Sequence, residues 1–252
     1  MTVPRQRGEL LGAGATCRVY EWGADQVVKV YRRAFASLAP IELERAAAVA
    51  RAGIPSPAVH GVVQLEGRAA VVFERIDGAS LLDELFAGSR TTADVGRMTA
   101  ELHVDMHDRR VDGLPQLADT MRDRGIAGLP LGVAPFHGDF HPANILLHGD
   151  RYVTIDWSNA HLAPPAADVA CSMLAIGYRG LRADHPDLDE VRRIRREIAG
   201  AYADAYRAAR PAVLADVPQW FSAIGRLLLE QEPDTADADE LRARCERPTS
   251  FS

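Results

Sequence analysis

The sequence predicts an α+β protein in two parts: a small β-rich N-terminal lobe with one helix, and a mainly helical C-terminal lobe carrying a loop and a β-hairpin. Three observations carry this. The first third consists of short β-branched and apolar runs separated by Gly-containing turns, with one Ala-, Glu- and Arg-rich interruption. Beyond Asp77-Gly78 the periodic runs lengthen to helical size. Between those helices His137 to Asp168 forms an island of loop and hairpin. The lobes are expected at residues 1–77 and 78–252, with the boundary near Ile76 to Ala79.

The elements follow in order. Gly8 to Ala13 and Thr16 to Trp22 read as strands flanking a glycine turn. Trp22-Gly23-Ala24-Asp25 turns the chain into a third strand, Gln26 to Tyr31, rich in Val. Ser37 to Ala52 reads as the helix, ended by Gly53 and Pro55. Val59 to Leu65 and Ala69 to Phe73 form a hairpin around Glu66-Gly67. Thr92 to His107, Asp187 to Ala209 and Pro218 to Gln231 read as helices. The run Glu230 to Glu240 holds six acidic residues and no basic one, and reads as a solvated helix edge or frayed end. No internal repeat is present.

Composition narrows the class. With 252 residues, 47% hydrophobic and 25% charged, the chain can bury a sizeable core without staples. A net charge of -6 argues against nucleic acid or an anionic membrane as partner and permits a cationic substrate. Cys17, Cys171 and Cys245 are odd in number and far apart, which excludes a disulfide framework and suits the reducing cytoplasm. Met1 to Leu10 is polar, with no apolar signal region, and no stretch nears the roughly 18 apolar residues of a membrane span.

The chemistry concentrates in His137-Gly138-Asp139-Phe140-His141-Pro142-Ala143-Asn144 and the hairpin after it. With the turn placed at Gly149-Asp150, Asn144 and Asp156 are expected opposite each other at the hairpin mouth, about 4.5–5.5 Å apart at Cα. An amide oxygen and a carboxylate so placed can share a hard cation such as Mg²⁺. Asp139, in the loop just before, can approach the same point. Phosphoryl transfer uses this combination: metal-binding oxygens, and a separate carboxylate that orients the attacking hydroxyl and accepts its proton. A rival reading makes His137, Asp139 and His141 the ligands of a metal hydrolase, but no fourth ligand is evident. His103 and His107 form a second pair four residues apart on a helix, read as facing core or solvent.

The first lobe supplies matching parts. Gly12, Gly14 and Thr16 lie in a turn whose backbone N–H groups can approach phosphate oxygens. Lys29 sits in an apolar strand, on the face of Val27 and Tyr31, where a lysine is expensive unless paired. It is expected to hold phosphate, steadied by a helix glutamate. Glu42 and Glu44 are about 200° apart around the helix, so only one can face the strand, and Glu42 is preferred. Glu74 through its carbonyl and Ile76 through its N–H are expected to pair with adenine. Trp220 and Phe221 are expected in the core rather than as a substrate floor.

These residues resemble the aminoglycoside phosphotransferase and choline kinase superfamily, over about Gly8 to Asp168. The step from Asp139 to Asn144 is the Asp-to-Asn step of the kinase catalytic loop. The resemblance implies a protein-kinase-like fold and an ATP-dependent phosphotransferase with a small-molecule hydroxyl acceptor. Asp139 would be the base, Asn144 and Asp156 the Mg²⁺ ligands, and Lys29 with Glu42 the phosphate clamp. It also implies that Asp168 braces the catalytic loop and that His103 is structural. Trp157-Ser158 follows Asp156 where protein kinases have Phe-Gly, and no Ala-Pro-Glu signature is present; both favour a small-molecule acceptor over a protein. A silent nucleotide-binding module is the alternative.

Overall fold

The computed structural model describes residues 7–246; positions 1–6 and 247–252, including most of the polar start and the last residues of the expected second lobe, lie outside the described residues. Strands β1 (Leu10–Ala13), β2 (Cys17–Glu21) and β3 (Gln26–Tyr31) lead to helix α1 (Leu38–Arg51), then β4 (Val59–Leu65) and β5 (Arg68–Glu74). They form one antiparallel sheet in the order β1-β2-β3-β5-β4. Glu66 and Gly67 both have positive φ, the two-residue turn that matches strand twist.

The central strand separates two small cores. Val28 and Val30 pack with Tyr20, Trp22, Ala70 and Val72 on one face. Tyr31 packs with Cys17, Ala39 and Val71 on the other, under α1. Period-two alternation therefore places Lys29 on the α1 side, with Tyr31.

The remainder is mainly helical: α2 (Leu81–Phe86), α3 (Thr92–His107), α4 (Leu117–Asp123), α5 (Pro165–Gly177), α6 (Leu188–Ala209), α7 (Val217–Gln231) and α8 (Ala238–Glu246). Ser80 with Asp83, and Thr91 with Asp94, form reciprocal capping boxes that start α2 and α3. Three short strand segments interrupt the helices, β6 (Ala134–Phe136), β7 (Ile145–His148) and β8 (Arg151–Thr154), and β9 (His161–Ala163) follows; β6 pairs with β9 and β7 with β8. A large core runs through this half, with Trp157, Trp220, Tyr202 and Tyr206 almost wholly buried. Trp220 and Phe221 thus face the core, as the sequence predicts.

Gly78 fixes how the two halves meet. A Cβ built on it would lie 1.6 Å from the Leu147 carbonyl oxygen, so only glycine lets the chain pass β7 there. Beside it, Leu147 N–H donates to the Ala79 carbonyl at 2.9 Å and Thr154 N–H to that of Pro55 at 2.9 Å. The hairpin is thereby bonded to both halves.

The acidic run differs from expectation. Glu232 accepts the Gly180 N–H at 2.7 Å, Asp237 pairs with Arg192 at 2.6 Å, and Glu240 accepts the Tyr178 hydroxyl at 2.9 Å. Thr235 between them is buried, its hydroxyl on the Tyr178 carbonyl at 2.8 Å. The segment is a docked connection between α7 and α8, not a frayed end. No helix of the described residues is long and apolar enough to cross a membrane.

Candidate active site

The hairpin register departs from the sequence expectation by one residue. Ile145 faces Thr154 and His148 faces Arg151, and the Ile155 N–H donates to the Asn144 carbonyl at 3.0 Å. Asn144 therefore opposes Ile155, while Asp156 lies one step beyond the ladder. A turn centred between Gly149 and Asp150 requires this pairing. Asp156 still turns back toward the site, because its backbone is left-handed, with φ 66° and ψ 65°. Aspartate tolerates that region better than most residues.

Two carboxylates meet one lysine. Lys29 Nζ is 2.9 Å from Glu42 Oε1 and 2.8 Å from Asp156 Oδ1. Burial works against the ammonium, but Glu42 and then Asp156 outweigh it and hold Lys29 well above its ordinary range. Asp156 is likewise kept low: burial raises it, and Lys29 and the Ser158 hydroxyl, 2.8 Å from Oδ1, more than offset that. Glu42, not the exposed Glu44, makes the contact, and the Tyr31 hydroxyl donates to its other oxygen. Two turns of α1 thus serve the site, since Arg45, one turn on, donates to the Ser158 carbonyl beside Asp156.

Asp139 projects from a rigid loop. The buried Asp168 carboxylate accepts the N–H groups of His137 at 2.6 Å and Gly138 at 3.0 Å, and His103 Nε2 lies 3.0 Å away. His103 Nδ1 meets the Tyr202 hydroxyl at 2.8 Å, so the histidine is held at both ends inside the core. Gly138 has φ +78°, and a Cβ on it would meet the Phe136 ring at 2.6 Å and Asn159 Cβ at 2.9 Å. His137 is buried, with Nε2 2.9 Å from the Ile155 carbonyl and Nδ1 accepting the Asp139 N–H at 3.1 Å. Both ring nitrogens are occupied, which removes it as a ligand in the hydrolase reading.

Asp139 itself is ionised. Burial pushes its carboxyl up, but His141, Arg179 and His137 outweigh burial and hold it far below the usual carboxylate range. Arg179 donates to Oδ1, and His141 Nε2 lies 3.6 Å from Oδ2. The Asn144 amide nitrogen donates to the Asp139 carbonyl at 2.9 Å, which turns its Oδ1 the other way. Arg179 is the residue that sequence reasoning missed: it follows α5 in an irregular connection and belongs to no motif.

The expected nucleotide residues lie in β1, in the turn from β1 to β2, and at and just after the end of β5. The Gly14 N–H is already spent on the Cys17 carbonyl at 3.0 Å. Among the described residues, the N–H groups of Ala15 and Thr16 bond no backbone carbonyl. A Cβ on Gly12 would meet nothing within 4 Å, and neither Gly12 nor Gly14 has positive φ, so packing and conformation do not require these glycines. The Glu74 side chain accepts the Ala58 N–H at 3.0 Å, and the Ile76 N–H bonds no backbone carbonyl among the described residues.

Sheet, helix and loop together make a kinase-like fold, and solved structures share it. A family model described as the phosphotransferase enzyme family matches residues 7–129 and 126–216. The chain belongs to that family. Among solved structures it is similar to an aminoglycoside-3'-phosphotransferase of type VIII, at 19% identity and TM-score 0.63, covering 91% of this chain and 94% of that one. It is also similar to the amicoumacin kinase hAmiN, solved with AMP-PNP, Ca²⁺ and Ami, at 17% identity and TM-score 0.59, covering 99% and 90%. The ADP-bound aminoglycoside phosphotransferase APH(2'')-Ib is 13% identical, with TM-score 0.53 and coverage of 98% and 94%. No curated protein matches the sequence.

Proposed function

We propose that the chain is an ATP-dependent phosphotransferase that moves the γ-phosphate onto a hydroxyl of a small molecule. The observation that carries this is the chain of contacts from Glu42 through Lys29 to Asp156, set beside the ionised Asp139. A buried lysine held by two carboxylates from distant elements is costly as packing and useful as a phosphate clamp.

The donor set fits a hard cation. Asn144 bonds through its nitrogen, and Asp156 uses Oδ1 for Lys29 and Ser158. That leaves an amide oxygen and a carboxylate oxygen, the oxygen-only set that Mg²⁺ takes together with substrate phosphates. Asn144 and Asp156 would hold the ion, whose chemistry is to neutralise phosphate charge.

The chain's own residues supply the rest. Asp139 accepts a hydrogen bond from the acceptor hydroxyl and aims its oxygen at the γ-phosphorus. As the new P–O bond forms, the bond to the β,γ-bridging oxygen breaks, ADP leaves, and the hydroxyl proton passes to the Asp139 carboxylate. A low carboxylate pKa suits orientation with late proton transfer, as a loose phosphoryl transition state requires. Lys29 lies on the phosphates, Gly12, Gly14 and Thr16 give the backbone room above them, and Glu74 and Ile76 offer adenine its partners.

Asp139→Asn is the test. Turnover should fall by about 10²–10⁴ while ATP binding persists. Unchanged turnover would refute the role.

A further inference from the structure

Resting on the phosphotransferase reading, we propose that the acceptor is a partly apolar hydroxyl compound bearing an anionic group, not a polyamine. A cavity of about 360 Å³ is lined in part by His141 and Arg179, two side chains that contact the Asp139 carboxylate. Its walls are apolar: Leu82 and Phe86 of α2, and Ile194 and Ile198 of α6. Phe86 is 70% exposed, the most open large hydrophobic side chain but one among the described residues. No aspartate or glutamate lines this cavity. A site for a multiply charged amine needs such carboxylates.

The charges present have the opposite sign. Arg179 donates to Asp139, and that is its one hydrogen bond from the guanidinium among the described residues. Arg195 donates to the Arg179 carbonyl at 2.9 Å, and Asp237 and Glu232 act on it electrostatically without a direct ion pair among the described residues. Half-buried guanidinium groups with donors to spare are expensive unless an anion meets them. The neighbouring acidic groups are otherwise engaged, Glu232 capping the Gly180 N–H and Asp237 holding Arg192, and neither lines this cavity. The geometry therefore presents an apolar trough with two cations on its lining, Arg195 and Arg179, the second of which bonds the base Asp139. A hydroxyl would sit on Asp139, an apolar body on the α2 and α6 side chains, and a carboxylate or phosphate on Arg195 and the free edge of Arg179.

Calorimetric titration of the full chain with phenyllactate and hydroxymethylbenzoate, against kanamycin and choline, tests this. The anionic probes should bind and the cationic ones should not. Arg195→Glu should weaken the anionic probes by about tenfold to a hundredfold, the scale of one charge-assisted hydrogen bond. Arg195→Gln, which keeps size and polarity, should give a smaller loss in the same direction. Tighter binding of kanamycin or choline, no binding of either anionic probe, or equal affinity in wild type and both variants overturns the proposal. Mg²⁺-ATP is titrated in parallel on the wild type. Failure there overturns the underlying phosphotransferase reading, whereas ATP binding with preference for the amines overturns the acceptor class alone.

Discussion

Lys29 Nζ lies 2.8 Å from Asp156 Oδ1, a residue 127 positions away, and 2.9 Å from Glu42 Oε1. One strand, one helix and one loop thus share a single ammonium group. Its side chain is 8% exposed and that of Glu42 is 1% exposed, so neither charge has water to fall back on.

Lys29→Ala should therefore unfold at lower urea concentration, by about 3–5 kcal/mol, because it strands Glu42 without its cation. The paired change Lys29→Met with Glu42→Leu should recover most of that stability and none of the phosphotransfer. Urea midpoints of the three proteins check this, and a single variant as stable as wild type would contradict it.

Gly138→Ala should damage both folding and turnover. A left-handed alanine costs about 1–2 kcal/mol before any contact is counted. Its methyl would then press on Phe136 and Asn159. Since Asp168 holds this peptide, Asp139 would move with it. The check is the unfolding midpoint together with kcat, both expected to fall. The equivalent change at Gly12, where a Cβ meets nothing, should leave the midpoint alone.

Acid should destabilise the fold well above the carboxylate range. Burial depresses His103 and His161 to about 4. Between an unfolded value of about 6.5 and that folded value, the unfolded chain binds a proton that the folded chain refuses. Stability is full above about pH 6.5 and falls toward pH 4, by about 1.4 kcal/mol per unit per histidine. Asp168 acts lower: burial raises its carboxyl, His103 more than offsets that, and its contribution is lost only below about pH 3.9. Thermal melts from pH 7 to 5 should show His161→Gln losing less than wild type over that range. Parallel losses would contradict the assignment.

The parts of the fold that were legible in the sequence have a period. Lys29 between valines, and the paired apolar runs around Gly149-Asp150, announce strands, and α3 has a capping box and an apolar stripe. Helix α5 gives no signal in the sequence, because ten of its residues are buried all round, which leaves no amphipathic rhythm. The docking of the acidic run is not legible in the sequence, because its partners, Arg192, Tyr178 and Gly180, lie far off along the chain. Asp139, Asn144 and Asp156 stood out through residue type and spacing. Arg179 could not, since only the folded chain brings it to Asp139.

The most direct test of the central claim is calorimetric titration of Mg²⁺-ATP into the wild type and Asp156→Ala. The account predicts binding that needs Mg²⁺ in the wild type, and loss of that dependence in the variant, which lacks the carboxylate facing Lys29. Binding that ignores Mg²⁺ in both proteins, or no binding in the wild type, would contradict it.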